Sequence, residues 1–252
     1  MFTSAPYTNT PVVTALNISP SSSNSSGAVV IAGFKNRTLP SQIDLIANVD
    51  ATESSLNFGQ GIIQINSGLA KNLTKLHSNV LFGLHVCRDR DFDRNYDFSL
   101  GMGMTADDFN LNLSRITFEG GGDEEETQFD SMLTIANSYP CSFIGDCRRA
   151  IVLESSSSSK FTQNGLNGSA VADILKSLGF VVMVVAPNNV NLHELAAGTG
   201  GYSFELSNSP KQADIDRVTD LLTKSMTRVN VGGGTVGLNN QNFGTKGTQQ
   251  II

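Results

Sequence analysis

The stretch Ile43-Asp44-Leu45-Ile46-Ala47-Asn48-Val49-Asp50-Ala51-Thr52-Glu53-Ser54 decides the fold. Residues 43–49 form a mostly apolar run that predicts a buried strand. Asp50, Thr52 and Ser54 follow at alternate positions, where the strand gives way to a loop. This spacing can turn one carboxylate and two hydroxyls toward one point, and a hard divalent cation takes oxygen ligands of this kind.

The same hydroxyls also fit a local structural role. Thr52, Ser54 or Ser55 could cap the helix that follows, because a hydroxyl at an N-cap accepts a hydrogen bond from a free helical N–H group. On local sequence alone the capping interpretation and the metal-ligand interpretation both stand. The choice between them depends on whether other loops near the end of this strand supply further oxygen ligands.

Composition and charge exclude several classes of protein. The chain has 252 residues, which is long enough for one large α/β domain or two small ones, and 39% of them are hydrophobic, which is enough to fill a core. Only 16% of the residues are charged and the net charge is −6, so the sequence lacks the basic surface of a nucleic-acid-binding or polybasic membrane protein. It shows neither a signal peptide nor an apolar run of membrane-spanning length. We expect no nucleic-acid partner and no membrane insertion.

The remaining surface must consist largely of Asn, Ser, Thr and Gly. Such a neutral polar surface favours an extracellular, cell-surface or virion location. Cys141 and Cys147 are close enough in sequence to bridge a short loop if the compartment is oxidising. A zinc site is not predicted, because the three Cys and three His residues show no ligand spacing.

The chain divides into three segments. Residues 1–40 form a Ser/Asn/Pro-rich N-terminal arm, and residues 41–228 form a folded domain. Residues 229–252 form a Gly/Asn-rich C-terminal arm, whose composition offers too little apolar surface to form a core of its own. Apolar periodicity in the domain predicts strands at 43–49, 79–87, 96–102, 149–154, 180–186 and 202–206, and helices at 57–76, 105–114, 124–137, 168–178, 191–197 and 211–228. Strands that alternate with amphipathic helices predict an α/β fold with three αβα layers and a mostly parallel central sheet.

A second loop lies at the edge where such sheets bind ligands. Gly120-Gly121-Gly122-Asp123 precedes a predicted helix and could bring the carboxylate of Asp123 beside Asp50, since parallel sheets bind at the carboxyl ends of their strands. Asp123 also fits an N-cap, with Glu126 three residues later as in a capping box. A phosphate-binding loop is disfavoured because the acidic run 123–126 would repel the anion.

The order of elements and these two loops resemble the von Willebrand factor A domain family, over roughly residues 41–228. Asp50-x-Thr52-x-Ser54 matches the family's metal-site signature Asp-x-Ser/Thr-x-Ser, and Gly-Gly-Gly-Asp123 looks like its second metal-site loop. The resemblance implies a Rossmann-like αβα fold and a metal-ion-dependent adhesion site. Asp50, Thr52, Ser54 and Asp123 would then be the ligands of Mg²⁺, Mn²⁺ or Ca²⁺.

The third loop departs from the family. Its members carry Thr-Asp-Gly after this strand, whereas this chain continues Leu153-Glu154-Ser155-Ser156. The position of the family's Asp falls on Glu154 or Ser156, depending on the register, and the glycine is missing. The resemblance therefore predicts a degenerate metal site on a typical scaffold.

Three functions follow as hypotheses. The leading one is a non-enzymatic protein–protein interaction module, a structural subunit of a larger surface, filamentous or virion assembly that self-associates through its terminal arms. The alternative is a free adhesion protein whose bound metal coordinates an acidic residue of its partner. A metal-dependent hydrolase comes third, because the sequence has no Gly-x-x-x-x-Gly-Lys phosphate loop and no Gly-x-Ser-x-Gly elbow.

Overall fold

The structure is a computed structural model that describes residues 42–138, 147–227 and the backbone of 234–236. The predicted N-terminal arm and most of the C-terminal arm lie outside these residues, so their role in assembly stays a prediction. Cys141 lies outside them as well, and its bridge to Cys147 also stays a prediction. None of the described helices is both long and apolar enough to cross a membrane.

A seven-stranded sheet in the order β3-β2-β1-β5-β7-β8-β9 forms the centre of the described domain. The strands are β1 (Gln42–Asp50), β2 (Val80–Cys87), β3 (Asp97–Met104), β4 (Glu125–Glu126), β5 (Cys147–Glu154), β6 (Ser158–Ser159), β7 (Phe180–Ala186), β8 (Tyr202–Glu205) and β9 (Gly234–Val236). β3 runs antiparallel to β2, while the other neighbours in this sheet pair in parallel. β4 and β6 form a separate two-stranded parallel pair.

In the described part of the chain, six α-helices connect the strands and cover both faces of the sheet. They are α1 (Leu56–Leu76), α2 (Ala106–Leu113), α3 (Gln128–Ser138), α4 (Gly168–Ser177), α5 (His193–Thr199) and α6 (Gln212–Thr227). A short 3-10 helix, Glu53–Ser55, precedes α1. The fold is therefore the three-layer αβα arrangement with a mostly parallel sheet that the sequence predicts.

The side chains of β1 contribute to the hydrophobic core on both faces of the sheet. All nine residues of β1 are buried. Leu45 packs into the core formed with α1 and α6, whereas its neighbour Ile46 packs into the core formed with α3, α4 and α5. Successive side chains of a strand point to opposite faces, so a strand that is buried along its whole length has to lie between two helical layers.

The predicted start of one helix is wrong. The pattern predicts a helix from residue 124 with Asp123 as its cap, but α3 begins at Gln128 and the two residues of β4 pair with β6 instead. The hydroxyl of Ser159 accepts a hydrogen bond from the backbone N–H of Phe129 at 2.9 Å and so supplies an acceptor in the first turn. Since this group comes from a distant loop, local sequence could not show it.

Candidate functional site

Asp50 occupies the centre of the carboxyl edge of the sheet, at the end of β1, and is 1% exposed. Its Oδ1 accepts hydrogen bonds from the backbone N–H of Thr52 at 3.1 Å and from the hydroxyl of the same residue at 2.8 Å. Its Oδ2 accepts from Ser55 Oγ at 3.0 Å, Ser155 Oγ at 2.6 Å and Gln128 Nε2 at 3.4 Å. Five hydrogen-bond donors, from the segment after β1, the loop after β5 and the first residue of α3, thus hold one buried carboxyl group, as a buried polar group requires.

A cluster of hydroxyl groups surrounds this carboxylate. Thr52 Oγ1 lies 3.1 Å from Ser54 Oγ, and Ser55 Oγ lies 2.7 Å from Ser156 Oγ. The structure therefore brings together the predicted ligands Asp50, Thr52 and Ser54. Ser156, one of the two candidates in the loop after β5, lies beside them. The capping interpretation of these hydroxyls is wrong, because no side-chain cap is found at the start of α1 or of the 3-10 helix in the described part of the chain.

Asp123, the predicted second-loop ligand, lies elsewhere. Its carboxylate pairs with Lys160 Nζ at 3.0 Å and accepts a hydrogen bond from the backbone N–H of Glu125 at 3.2 Å. Lys160 also binds Asp89 at 2.8 Å and Asp91 at 2.7 Å. The ammonium group thus sits among three carboxylates and supplies their counter-charge.

Glu154, the other third-loop candidate, is turned away from the hydroxyl cluster. It is fully buried, and its Oε2 accepts a hydrogen bond from Asn66 Nδ2 of α1 at 2.6 Å. Burial raises the pKa of Glu154 well above its ordinary value, and the hydrogen bond from Asn66 offsets part of this rise. The third loop contacts Asp50 through Ser155 instead, a residue that the sequence did not indicate as part of the site.

Glu126 is the acidic residue that the sequence interpretation missed. It is 0% exposed, and among the described residues neither of its carboxylate oxygens has a hydrogen-bond partner. Burial raises its pKa to about 8, and the nearby carboxylates of Asp50 and Asp89 add to the rise. The acidic run 123–126 shows that this loop offers several carboxylates to the sheet edge. The local pattern, however, assigned Glu126 to a capping box.

The glycine loop brings Glu126 close to the first loop. A Cβ atom on Gly121 would lie 3.1 Å from Thr52 Cβ and 3.3 Å from Glu126 Oε1, so both groups approach the space that the missing side chain leaves. The φ angle of Gly121 is +80°, which favours glycine. Two backbone hydrogen bonds, Glu53 N–H to Gly120 O at 3.2 Å and Glu119 N–H to Ala51 O at 3.0 Å, lay this loop along the first one.

The chemistry of these donors fits a hard divalent cation. Two carboxylates, Asp50 and Glu126, and the hydroxyls of Thr52 and Ser54 offer oxygen ligands, which Mg²⁺ and Mn²⁺ prefer. The unpartnered oxygens of Glu126 are acceptors that a cation would satisfy. In the described part of the chain no group of three or more Asp, Glu, His or Cys residues is arranged so that it could hold a metal ion, so a cation here would depend on hydroxyl oxygens.

Exposed apolar side chains surround this polar edge. Phe161 and Phe92, at 62% and 59%, are the most exposed large apolar residues in the described chain, and both lie on loops at the carboxyl edge. Leu56, at the first residue of α1, is 44% exposed. We call these three residues the apolar rim. Large exposed apolar groups bordered by polar residues are typical of protein contact sites.

Comparison with solved structures identifies the fold. Two structures of proximal thread matrix protein 1 from the mussel byssus match with TM-scores of 0.58 and 0.55 at 14% and 11% sequence identity, over 76% and 75% of this chain. The matches cover 49% and 48% of that protein, so this chain spans about half its length. The VWA domain of SpRpn10 matches with a TM-score of 0.57 at 12% identity, over 76% of this chain and 100% of that domain.

The chain therefore has the von Willebrand factor A fold, as the sequence resemblance predicts. No protein-family model matches the sequence, and no curated protein matches it.

Proposed function

We propose that this chain, which has the von Willebrand factor A fold, is a non-enzymatic protein-interaction module that uses the carboxyl edge of its sheet as the contact surface. The observation that carries the proposal is the apolar rim around the Asp50 cluster. Phe92 and Phe161 expose most of their surface on loops that ion pairs hold in place. Burial of such aromatic side chains is a main source of free energy in protein association.

The partner that we propose is a second copy of this chain, in a larger extracellular, surface or virion assembly. Two observations support it: the neutral, Asn- and Ser-rich composition, and the fold shared with a thread matrix protein of the mussel byssus. The predicted arms, 1–40 and 229–252, would hold neighbouring subunits together. Within the second arm, Gly234–Val236 pairs with β8 of its own domain.

Light scattering and negative-stain imaging of the full chain test the assembly. We expect a mass above that of the monomer, 26.8 kDa, which grows with protein concentration. A particle that stays monomeric at the highest soluble concentration would refute the assembly proposal.

Metal-dependent adhesion is the second candidate function. The oxygen ligands around Asp50 favour it, since a cation with an open coordination position could accept a carboxylate from a partner. The melting temperatures in EDTA and in millimolar Mg²⁺ test this function. A cation at about 100 times its Kd adds roughly 2.7 kcal/mol of stability, so equal melting temperatures would count against it.

A metal-dependent hydrolase has the least support. Activation of a metal-bound water usually needs a general base close to the ligands. His85 instead forms a buried pair with Asp97, and His193 hydrogen-bonds the carbonyl oxygen of Pro187 at 2.9 Å. We expect no turnover of phosphate esters by the chain loaded with Mg²⁺ or Mn²⁺, and measurable turnover would reverse this assignment.

A further inference from the structure

We propose that the carboxyl edge of one copy of this chain binds the basic segment Phe34-Lys35-Asn36-Arg37, from the N-terminal arm of a neighbouring copy. The inference rests on the proposed function, because it names the segment and the surface that join two copies in the assembly. Opposite charge on these two parts of the chain is the feature that selects them.

The charges of the chain are divided between the arm and the domain. All 23 Asp and Glu residues lie between Asp44 and Asp220. The N-terminal arm, 1–40, contains none of them, and its charged side chains are Lys35 and Arg37. Such charge asymmetry within one chain is typical of an interaction tail, since the basic arm is attracted to the acidic domain of any copy.

The negative charge is concentrated at the carboxyl edge of the sheet. Besides Asp50, this edge contains nine acidic residues and only four basic ones, in the segments 51–55, 88–96, 117–127 and 155–163. Three of the basic side chains already pair with carboxylates of the same edge: Arg88 with Glu119 at 3.0 Å, Arg90 with Asp91 at 3.6 Å and Lys160 with Asp89 at 2.8 Å. The edge therefore keeps an excess of carboxylates.

Three exposed glutamates carry part of this excess. Within residues 42–138 and 147–227, no cation lies within ion-pair distance of Glu53, Glu124 or Glu125. The loops that carry them lie side by side, because the backbone N–H of Glu53 donates a hydrogen bond to Gly120 O at 3.2 Å. Like charges grouped in this way attract a cationic segment and repel an acidic one. The proposed occupant is thus opposite in charge to the acidic partner of the adhesion candidate.

The apolar rim lies within the same acidic surface. The ring of Phe92 rests on the glycine loop, where a Cβ atom on Gly122 would overlap it, two residues before Glu124. An exposed aromatic ring such as Phe92 or Phe161 binds an ammonium or guanidinium group over its face. The segment 34–37 offers two such groups and the apolar side chain of Phe34. It therefore matches both the charge and the apolar character of the edge.

The length of the chain assigns the segment to a neighbouring copy. Arg37 lies five residues before Gln42, the first residue of β1, so the backbone between them spans at most about 18 Å. β1 extends about 26 Å in the opposite direction of travel, from Gln42 at the amino edge to Asp50 at the carboxyl edge. The backbone at Arg37 is therefore too short to reach the carboxyl edge of its own domain, whereas that of another copy has no such limit.

Sedimentation velocity of the full chain tests the proposal. We expect Lys35→Ser/Arg37→Ser to associate about 10-fold more weakly than wild type, because two ion pairs at the edge are lost. Lys71→Ser/Lys75→Ser is the matched control, since it removes two exposed lysines of α1 and changes the net charge equally. Its association should stay within about threefold of wild type.

Salt provides a second measurement of the same contact. From 0.1 M to 1 M NaCl the Debye length falls from about 10 Å to about 3 Å, so the wild-type association should weaken by about 10-fold. Lys35→Ser/Arg37→Ser should change by less than about threefold, because it lacks the charges that salt screens. Wild-type association that is unchanged or strengthened by salt would overturn the inference.

A charge exchange separates ion pairing from any structural effect of the variants. Glu124→Lys/Glu125→Lys should associate about 10-fold more weakly than wild type, because the altered edge repels the arm. Addition of Lys35→Glu/Arg37→Glu to this variant should restore association to within about threefold of wild type, since the two charges are then exchanged.

The outcomes distinguish this inference from the proposed function. If wild type associates and either pair of substitutions leaves association unchanged, the inference is overturned and the assembly remains. The same holds if the charge-exchanged chain associates as weakly as Glu124→Lys/Glu125→Lys. A wild-type chain that stays monomeric overturns both the inference and the assembly.

Discussion

Replacement of Lys160 by Met should destabilise the domain far more than the loss of an ordinary surface lysine. Lys160 is 11% exposed and hydrogen-bonds both carboxylate oxygens of Asp89, at 2.8 and 3.0 Å, and Asp89 is fully buried. Removal of one partner of a buried pair leaves an uncompensated charge, which costs about 3–5 kcal/mol. Asp91 and Asp123 are about half exposed, so their pairs add little.

Urea unfolding at pH 7, followed by circular dichroism, measures this loss. Lys224→Met is the matched control: Lys224 pairs with Asp220 at 2.6 Å on the surface of α6, and both side chains are about half exposed. Its loss should change stability by about 0.5 kcal/mol or less. If both variants lose the same small amount, Lys160 is not the structural cation that we describe.

A second substitution separates charge from packing. In the Lys160→Met background, Asp89→Asn removes the carboxylate that the first change leaves buried and unpaired. We expect the double variant to recover about half or more of the lost stability, because removal of both partners costs less than removal of one. A double variant that is less stable than Lys160→Met would show that lost packing, rather than an unpaired charge, explains the effect.

Two further predictions concern the loops and the sheet edge. Gly121→Ala should lower the unfolding free energy by about 1 kcal/mol more than Gly165→Ala, because both residues have positive φ angles but only the new Cβ at Gly121 meets a neighbour, Thr52 at 3.1 Å; equal losses in urea would contradict the close approach. Although burial alone would raise the pKa of Asp97, its hydrogen bond with His85 and the charge of that residue lower it. Asp97→Asn should therefore cost about 1–3 kcal/mol at neutral pH, and this cost should begin to shrink only as the pH falls below about 4, because stability from a lowered carboxyl pKa is lost as the pH falls from the unfolded value through the folded value. A pH-independent difference in acid titrations of stability would show that the charge of Asp97 is not involved.

The fold could be predicted because its signals are local and repeated. Val49 ends an apolar run that only a doubly covered strand can bury, and the helices that flank it show clear apolar faces. The first-loop cluster could be predicted for the same reason, since Asp50, Thr52 and Ser54 are adjacent in sequence and their spacing fixes which side chains meet.

The rest of the site depends on partners that are distant in sequence. Asp123 turns to Lys160, 37 positions away, and Ser159 rather than Asp123 provides the acceptor in the first turn of α3. Glu126 fitted a local capping pattern, so its burial became visible only once β4 had paired with β6. Long-range pairing thus overrode the local preference at Glu126.

Sedimentation velocity of the full chain with an altered apolar rim tests the central claim most directly. The variant Phe92→Ser/Phe161→Ser removes the two most exposed apolar side chains at the carboxyl edge. Leu76→Ser/Leu178→Ser is the control, because these residues are 56% and 39% exposed at the opposite edge of the sheet. The account predicts that the rim variant sediments as a monomer at concentrations where wild type and control associate. Equal association of all three proteins would contradict a contact surface at the carboxyl edge.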